Sequence, residues 1–264
     1  MVVLSDIQGL LLDIDGVLTV SWRPLPGAGQ ALARIRESGM PFRLLTNTTE
    51  LTRRELASRL SHAGFDVKLD DIVTALVATG HFLRTSYPGS SCLVVGGAES
   101  QEDLEGVSLA GEDDHAEVVV IGGASDAIPS VLANRALRLV LAGAPLVSMH
   151  GSLTWLTDAG IVLDTGRALV IALEKAAGIE ARVVGKPSPT FFDEALQLLG
   201  GSAERTAMVG DDIETDVLAA QRLGMTGVLV RTGKFTPDQL DQATERPDHV
   251  IDSFAVLPDL LGQG

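Results

Sequence analysis

Cysteine is nearly missing from this sequence, and so are aromatic residues, a basic excess and any long apolar run. Cys92 is the single cysteine in 264 residues, which excludes an intramolecular disulfide and a cysteine-built zinc site. It stands in Ser91-Cys92-Leu93-Val94-Val95 and is expected to be a small buried core residue. Aromatics make up 4% and hydrophobic residues 45%, so the core must be mostly aliphatic, as is usual where parallel strands are buried on both faces. Lys and Arg number 20 against 35 Asp and Glu, a formal net charge of −15. That field disfavours nucleic acid and anionic membranes as partners, whereas a local lysine and a metal ion still admit a small phosphorylated molecule. No apolar run reaches membrane-spanning length, and no basic stretch followed by an apolar one opens the chain. A soluble, cytoplasmic protein is expected. There is no internal repeat and no low-complexity segment.

What the chain does have is alternation. Leu10–Ile14, Phe42–Thr46, Thr206–Gly210 and Val228–Arg231 read as strands, and so do Leu93–Val95, Val118–Ile121, Pro145–Ser148 and Arg182–Gly185. Helix-like spacing lies between them. Ala28, Ala31, Leu32 and Ile35 follow Pro26-Gly27, and Gly39 closes that helix. Thr52 to Glu55 is a capping box with Leu51 and Leu56 placed for a staple, on a helix ending near Gly64. Val131–Leu141 is helix-like; Ser188-Pro189 starts a helix striped by Phe192, Ala195, Leu196 and Leu199; Val217–Leu223 is a helix stopped by Gly224. The acidic stretch Glu99–His115 reads as solvated loop or short helix. Strand–helix alternation predicts an α/β fold with a Rossmann-like parallel-sheet core.

Four polar clusters each follow a strand. Asp13 and Asp15 follow the first, Thr46-Asn47 the second, Lys186 follows Val183-Val184-Gly185, and Asp211-Asp212 follow Met208-Val209-Gly210, with Asp216 beyond. Ligands of open parallel sheets bind beyond the carboxyl ends of the strands, so parallel strands would bring all four to one rim. Asp13 and Asp15 share a face of an extended segment, and two such charges about 4 Å apart repel by about 4 kcal/mol at an effective dielectric near 20. A hard divalent cation relieves that repulsion, and oxygen-only ligands favour Mg²⁺. Lys186 and the cation would hold a phosphoryl group, with Thr46 and Asn47 donating to its other oxygens. The helix start at Ser188-Pro189 favours an anion as well.

These pieces, with Pro26-Gly27-Ala28 and Val230-Arg231-Thr232-Gly233-Lys234-Phe235, resemble the haloacid dehalogenase-superfamily phosphatases that carry a large cap after the second motif. Within that group the sequence is most similar to the phospholysine phosphohistidine inorganic pyrophosphate phosphatases. The resemblance implies that Asp13 is the nucleophile, forming an aspartyl-phosphate, and that Asp15 is the general acid and then the base. It implies Mg²⁺ bound by the Asp13 carboxylate, the Asp15 backbone carbonyl and Asp211, and phosphoryl oxygens bound by Thr46, Asn47 and Lys186. Asp212 and Asp216 would support the metal or organise their loop, and Asp216 reads equally well as the N-cap of the following helix. Dehalogenases of the superfamily lack an acid at the position of Asp15, so its presence points to phosphoryl transfer.

Asn47 and Lys186 are 139 positions apart, too far for an unstructured connection. The expected organisation is a first core part at 1–79, a smaller inserted α/β cap at 80–181 and a second core part at 182–264. By the resemblance, the cap closes over the site, excludes water and selects small substrates, and it can mediate a homodimer. His150-Gly151-Ser152-Leu153-Thr154-Trp155 falls where relatives often carry Arg-Tyr-Tyr-like residues, so their substrates do not transfer to this chain. Packing is the expected role of His150 and Trp155. Trp22 fits either the entrance or an exposed flap. His62, His81, His115 and His249 show no metal-ligand spacing. Two alternatives differ in class: a catalytically silent phosphate- and Mg-binding protein of the same fold, and a phospho-accepting signalling module. Receiver modules are about half this length, and no motif residue is lost here, which count against them. A phosphomutase needs a cap between the first two motifs, and 30 residues between Asp15 and Thr46 are too few.

Overall fold

In the computed structural model of the protein, residues 4–96, 103–111, 114–124, 127–157 and 160–262 are described. In chain order the strands are β1 (Gly9–Asp13), β2 (Thr19–Val20), β3 (Arg23–Pro24), β4 (Phe42–Thr46), β5 (Ile72–Thr74), β6 (Ser91–Val95), β7 (Ser108–Leu109), β8 (Val118–Ile121), β9 (Leu146–Ser148), β10 (Thr154–Thr157), β11 (Gly160–Leu163), β12 (Arg182–Val183), β13 (Thr206–Gly210), β14 (Thr226–Val230) and β15 (His249–Ile251). The principal helices are α1 (Ala28–Glu37), α2 (Arg53–His62), α3 (Ala75–Ser86), α4 (Ser130–Leu141), α5 (Thr165–Ala177) and α6 (Pro189–Leu199).

Aliphatic runs form the central sheet because both of its faces are covered. Its order is β15-β14-β13-β1-β4-β5, with every neighbouring pair parallel. Alternate residues of β1 enter opposite layers, as a pleated strand requires. Leu10 and Leu12 pack with Leu32 and Ile35 of α1 and Leu56 of α2. Leu11 packs on the other side with Phe191, Phe192 and Ala195 of α6. The Thr52–Glu55 capping box is present: Glu55 N donates to Thr52 Oγ1 at 3.1 Å, and Thr52 N donates to Glu55 Oε2 at 2.9 Å.

A second, five-stranded parallel sheet has the order β12-β9-β8-β6-β7. This sheet changes one expectation. The strand before Lys186 pairs with β9 here, Arg182 opposite Val147 and Val183 opposite Ser148, and does not join the six-stranded sheet. The reason is occupancy: β1 already has β4 on one side and β13 on the other. Lys186 therefore arrives from the smaller sheet toward the rim of the larger one. The stretch expected to be loop or short helix differs too. Its residues 99–102 and 112–113 lie outside the described residues, but Ser108–Leu109 is an edge strand paired with Ser91 and Cys92. Cys92 is buried. The helical segment expected from Val217 begins earlier, at Ile213, because Asp212 caps it with bonds from the backbone N–H groups of Glu214 and Thr215. Among the described residues no helix is long and apolar enough to cross a membrane.

Candidate active site

Three adjacent strand ends set out the centre of the site. Asp13 is the last residue of β1, Thr46 the last of β4, and Asp211 comes directly after β13. All three are buried. The larger sheet thus places a carboxylate, a hydroxyl and a second carboxylate side by side at its carboxyl edge. The helical segment that starts at Ile213 after β13 adds Asp216, and the Asp13, Asp211 and Asp216 carboxylates offer oxygens within 4.8 Å of one another, an arrangement that can hold a metal ion. Oxygen-only donors of this kind suit a hard divalent cation.

Lys186 enters between two of these acids. Its Nζ lies 2.5 Å from Asp13 Oδ1 and 2.8 Å from Asp216 Oδ1. Asn47 fixes the lysine's backbone, with Oδ1 accepting from Lys186 N at 2.9 Å and Nδ2 donating to Lys186 O at 3.0 Å. The same Nδ2 reaches Ser152 Oγ at 3.3 Å. The Asn47 side chain, expected to donate to a phosphoryl oxygen, is thus engaged in holding Lys186. Thr46 Oγ1 accepts from Thr48 N at 3.1 Å, which turns the chain after β4.

Burial dominates the electrostatics. It raises the Asp13 carboxyl above its ordinary value against the opposing pull of Lys186. It raises Asp211 further, helped by the charges of Asp13 and Asp216, and pushes Asp216 up to about 7. Asp15 opens onto the cavity, yet the protein around it displaces enough water to raise its carboxyl too. Burial opposes the Lys186 ammonium, but Asp13 and Asp216 outweigh it and the lysine stays firmly charged. Acids that resist ionisation around a fixed cation are an arrangement that a further positive ion would complete.

A cavity of about 570 Å³ joins these groups, and Asp13, Asp15, Thr46, Asn47, Lys186 and Asp211 all line it. Asp216, for which an N-cap role stood as an equal alternative, is instead an acid of the centre; the cap is Asp212. Lys234 was not singled out, and its backbone N–H donates to Asp211 Oδ2 at 2.7 Å while its ammonium sits 3.3 Å from Asp212. The signal for it was its place after strand Val228–Arg231, the position that marked the other clusters. Trp22, His150 and Trp155 line the cavity as well. Trp22 is covered on one side by the Arg59 guanidinium, 4.9 Å above its ring. None of His62, His81, His115 and His249 belongs to the metal-capable group found among the described residues.

Comparison with known proteins agrees with this geometry. The family described as haloacid dehalogenase-like hydrolase matches residues 10–110, and one described as HAD-hydrolase-like matches residues 183–257. Haloacid dehalogenase-like hydrolase domain-containing protein 2 of Bos taurus is 37% identical over 257 residues, covering 97% of this chain and 96% of its own. Phospholysine phosphohistidine inorganic pyrophosphate phosphatase of Rattus norvegicus is 36% identical over 266 residues, covering 98% and 96%. Among solved structures, the p-nitrophenyl phosphatase from Archaeoglobus fulgidus superposes with a TM-score of 0.86 at 32% identity, over 95% of this chain and 97% of that one. With whole-length identity of this order and strand-end acids around one lysine, the chain belongs to the haloacid dehalogenase-like hydrolases.

Proposed function

We propose that the protein is a Mg²⁺-dependent phosphatase that hydrolyses a small phosphorylated metabolite, pyrophosphate or a phosphoramidate through an aspartyl-phosphate on Asp13. The observation that carries this reading is the buried contact of Lys186 Nζ with Asp13 Oδ1 at 2.5 Å, beside two further acids. A carboxylate aligned by an ammonium is a nucleophile with the cation already in place for the phosphoryl oxygens. Both names that specify a reaction among the relatives described above are phosphatases, which supports the same reaction here.

In this reading an Asp13 carboxylate oxygen attacks phosphorus in line, and the bond to the leaving oxygen breaks. Asp15 protonates that oxygen. The protein around Asp15 displaces water and raises its carboxyl, the direction that favours a proton donor. Asp15 then takes a proton from the water that hydrolyses the aspartyl-phosphate. Thr46 and Lys186 hold phosphoryl oxygens, and Asn47 keeps Lys186 in position through both of its backbone groups. Mg²⁺, held by Asp13, Asp211 and the backbone carbonyl of Asp15 with Asp216 beside them, would neutralise charge between carboxylate and phosphoryl group. Residues 80–181, together with Arg182–Val183 of β12, which complete the smaller sheet, would act as the cap over the core, restricting the site to small substrates. A cytoplasmic location and a homodimer through the cap belong to the same reading; Ile161 and Leu163 of β11 expose apolar surface there, and light scattering measures the assembly.

The test is phosphate release, with and without Mg²⁺, from sugar phosphates, pyridoxal phosphate, nucleotides, pyrophosphate and phosphohistidine. Release that needs Mg²⁺ and is abolished by Asp13→Asn in a folded protein is the expected result. Turnover retained by Asp13→Asn would overturn the mechanism. Magnesium binding without release from any of these compounds would favour a silent binding protein.

A further inference from the structure

We propose that His150, held by Asp164, is a specificity-determining residue that hydrogen-bonds a hydroxyl on the leaving group of the substrate. The nature of that ligand rests on the phosphatase reading; the observations that single out His150 do not. His150 lies just beyond β9, is 5% exposed and lines the same cavity as Asp13. Its chain neighbours tie it to the reacting end of that cavity. Gly151 N donates to the carbonyl of Lys186 at 3.3 Å, and Ser152 Oγ accepts from Asn47 Nδ2 at 3.3 Å. Ser148 Oγ donates to the His150 carbonyl at 2.7 Å, so the backbone that carries the ring is pinned.

The ring has one nitrogen committed and one buried without a partner among the described residues. His150 Nε2 lies 3.2 Å from Asp164 Oδ2, in a pair buried on both sides. The other oxygen of Asp164 caps α5 by accepting from Arg167 N at 2.7 Å. An ionised carboxylate only accepts, so the proton shared across the pair belongs to Nε2. That leaves Nδ1, which is buried and has no hydrogen-bond partner among the described residues. A buried polar atom without a partner is costly and calls for an explanation. A ligand in the adjoining cavity supplies one. A hydroxyl donates to Nδ1 of a neutral ring and accepts from it if the ring is protonated, so it meets the need in both states. The pair has room because position 123 carries no side chain. A methyl there would stand 2.9 Å from both His150 Nε2 and Asp164 Oδ2.

The experiment uses non-hydrolysable phosphonates, so that binding is read without turnover. ω-Hydroxyalkylphosphonates of two to five carbons are titrated calorimetrically into the Mg²⁺-loaded protein and compared with alkylphosphonates in which a methyl replaces the hydroxyl. At one chain length the hydroxylated compound is expected to bind about five- to tenfold more tightly. His150→Ala and Gly123→Ala should remove that ratio, and His150→Gln should restore part of it. In the wild-type protein the ¹⁵N resonance of His150 Nδ1 should move with the hydroxylated ligand and stay with the alkyl one, a readout that needs no variant to fold. Equal affinity or no binding at every length, or a ratio that survives His150→Ala, overturns the proposal. A hydroxyl preference in a protein that releases no phosphate from any ester leaves the inference standing and removes the phosphatase reading. Ester hydrolysis without the preference does the reverse.

Discussion

The side-chain amide of Asn47 pairs with both backbone groups of Lys186, a residue 139 positions away, at 2.9 and 3.0 Å. A ring of two hydrogen bonds fixes direction as well as distance, so the lysine's stem leaves this point aimed at Asp13. Asn47→Ala should therefore act on the rate more than on binding. The expected result is a fall in kcat of about tenfold or more, from a displacement on the order of 1 Å, while the unfolding midpoint changes modestly. Steady-state phosphate release beside a thermal melt checks this. A KM effect alone would mean that the amide binds substrate directly.

Proton release should accompany metal binding. Burial raises Asp13, Asp211 and Asp216, the last to about 7. The unfolded chain sheds the same protons near pH 4. Between these limits the folded, metal-free protein holds more protons, so its stability falls as pH climbs from about 4 toward 7. A divalent cation needs the ionised ligands and must expel what they carry. Mg²⁺ titrations at pH 6 in two buffers of different ionisation heat should give different apparent enthalpies, and the part of that difference that Asp216 supplies should shrink at pH 8. Identical enthalpies at pH 6 would count against this placement of the ion.

The capping box of α2 gives a stability effect independent of the active site. Thr52→Ala should cost about 1 kcal/mol at neutral pH. Backbone and side-chain hydrogen bonds from Thr52 hold the Glu55 carboxyl below its ordinary value. Its contribution is complete above the unfolded value, about 4.3, and is lost as pH falls through the lower folded one. Urea titrations of both proteins should show the Thr52→Ala penalty shrinking in acid, where the bond from the Thr52 hydroxyl to the Glu55 carboxylate is lost; an unchanged penalty would mean that this bond contributes nothing.

The central strands were legible because their side chains announce burial on both faces. Leu10, Leu11 and Leu12 leave no polar side, and only a parallel sheet covered by helices accepts such a run. The clusters after the strands were legible for the same reason, since a strand's end is where the apolar pattern stops. Arg182–Val183 was placed in the wrong sheet because a two-residue strand carries no pattern that names its neighbour. The only guide was that β1 had no free side. Lys234 was missed because its interaction with Asp211 runs through its backbone N–H, which leaves no trace in residue type. His150 and Asp164 stand fourteen positions apart with a hairpin between them, and no periodicity joins a residue after one strand to the cap of a helix.

Two glycines give the sharpest test of how Asp211 is held. Gly16 has φ +84° and Gly233 φ +63°, conformations that other residues adopt at a cost. Space is the harder constraint. A side-chain carbon on Gly16 would stand 1.9 Å from Asp211 Oδ2, and one on Gly233 would stand 2.0 Å from the same atom. Both segments close on a single carboxylate oxygen that also accepts from Lys234 N. Alanine at either position must drive Asp211 out of its place beside Asp13 and Asp216. Gly233→Ala should therefore weaken Mg²⁺ binding by about ten- to a hundredfold, the loss expected when a metal site's supporting shell is disturbed. The core, which this loop does not build, should stay folded by circular dichroism. Gly16→Ala, from the opposite side, should give the same loss in Mg²⁺ titration, and combining the two should add little, because both act by displacing one group. Additive losses would show that the two loops hold the ion through separate contacts.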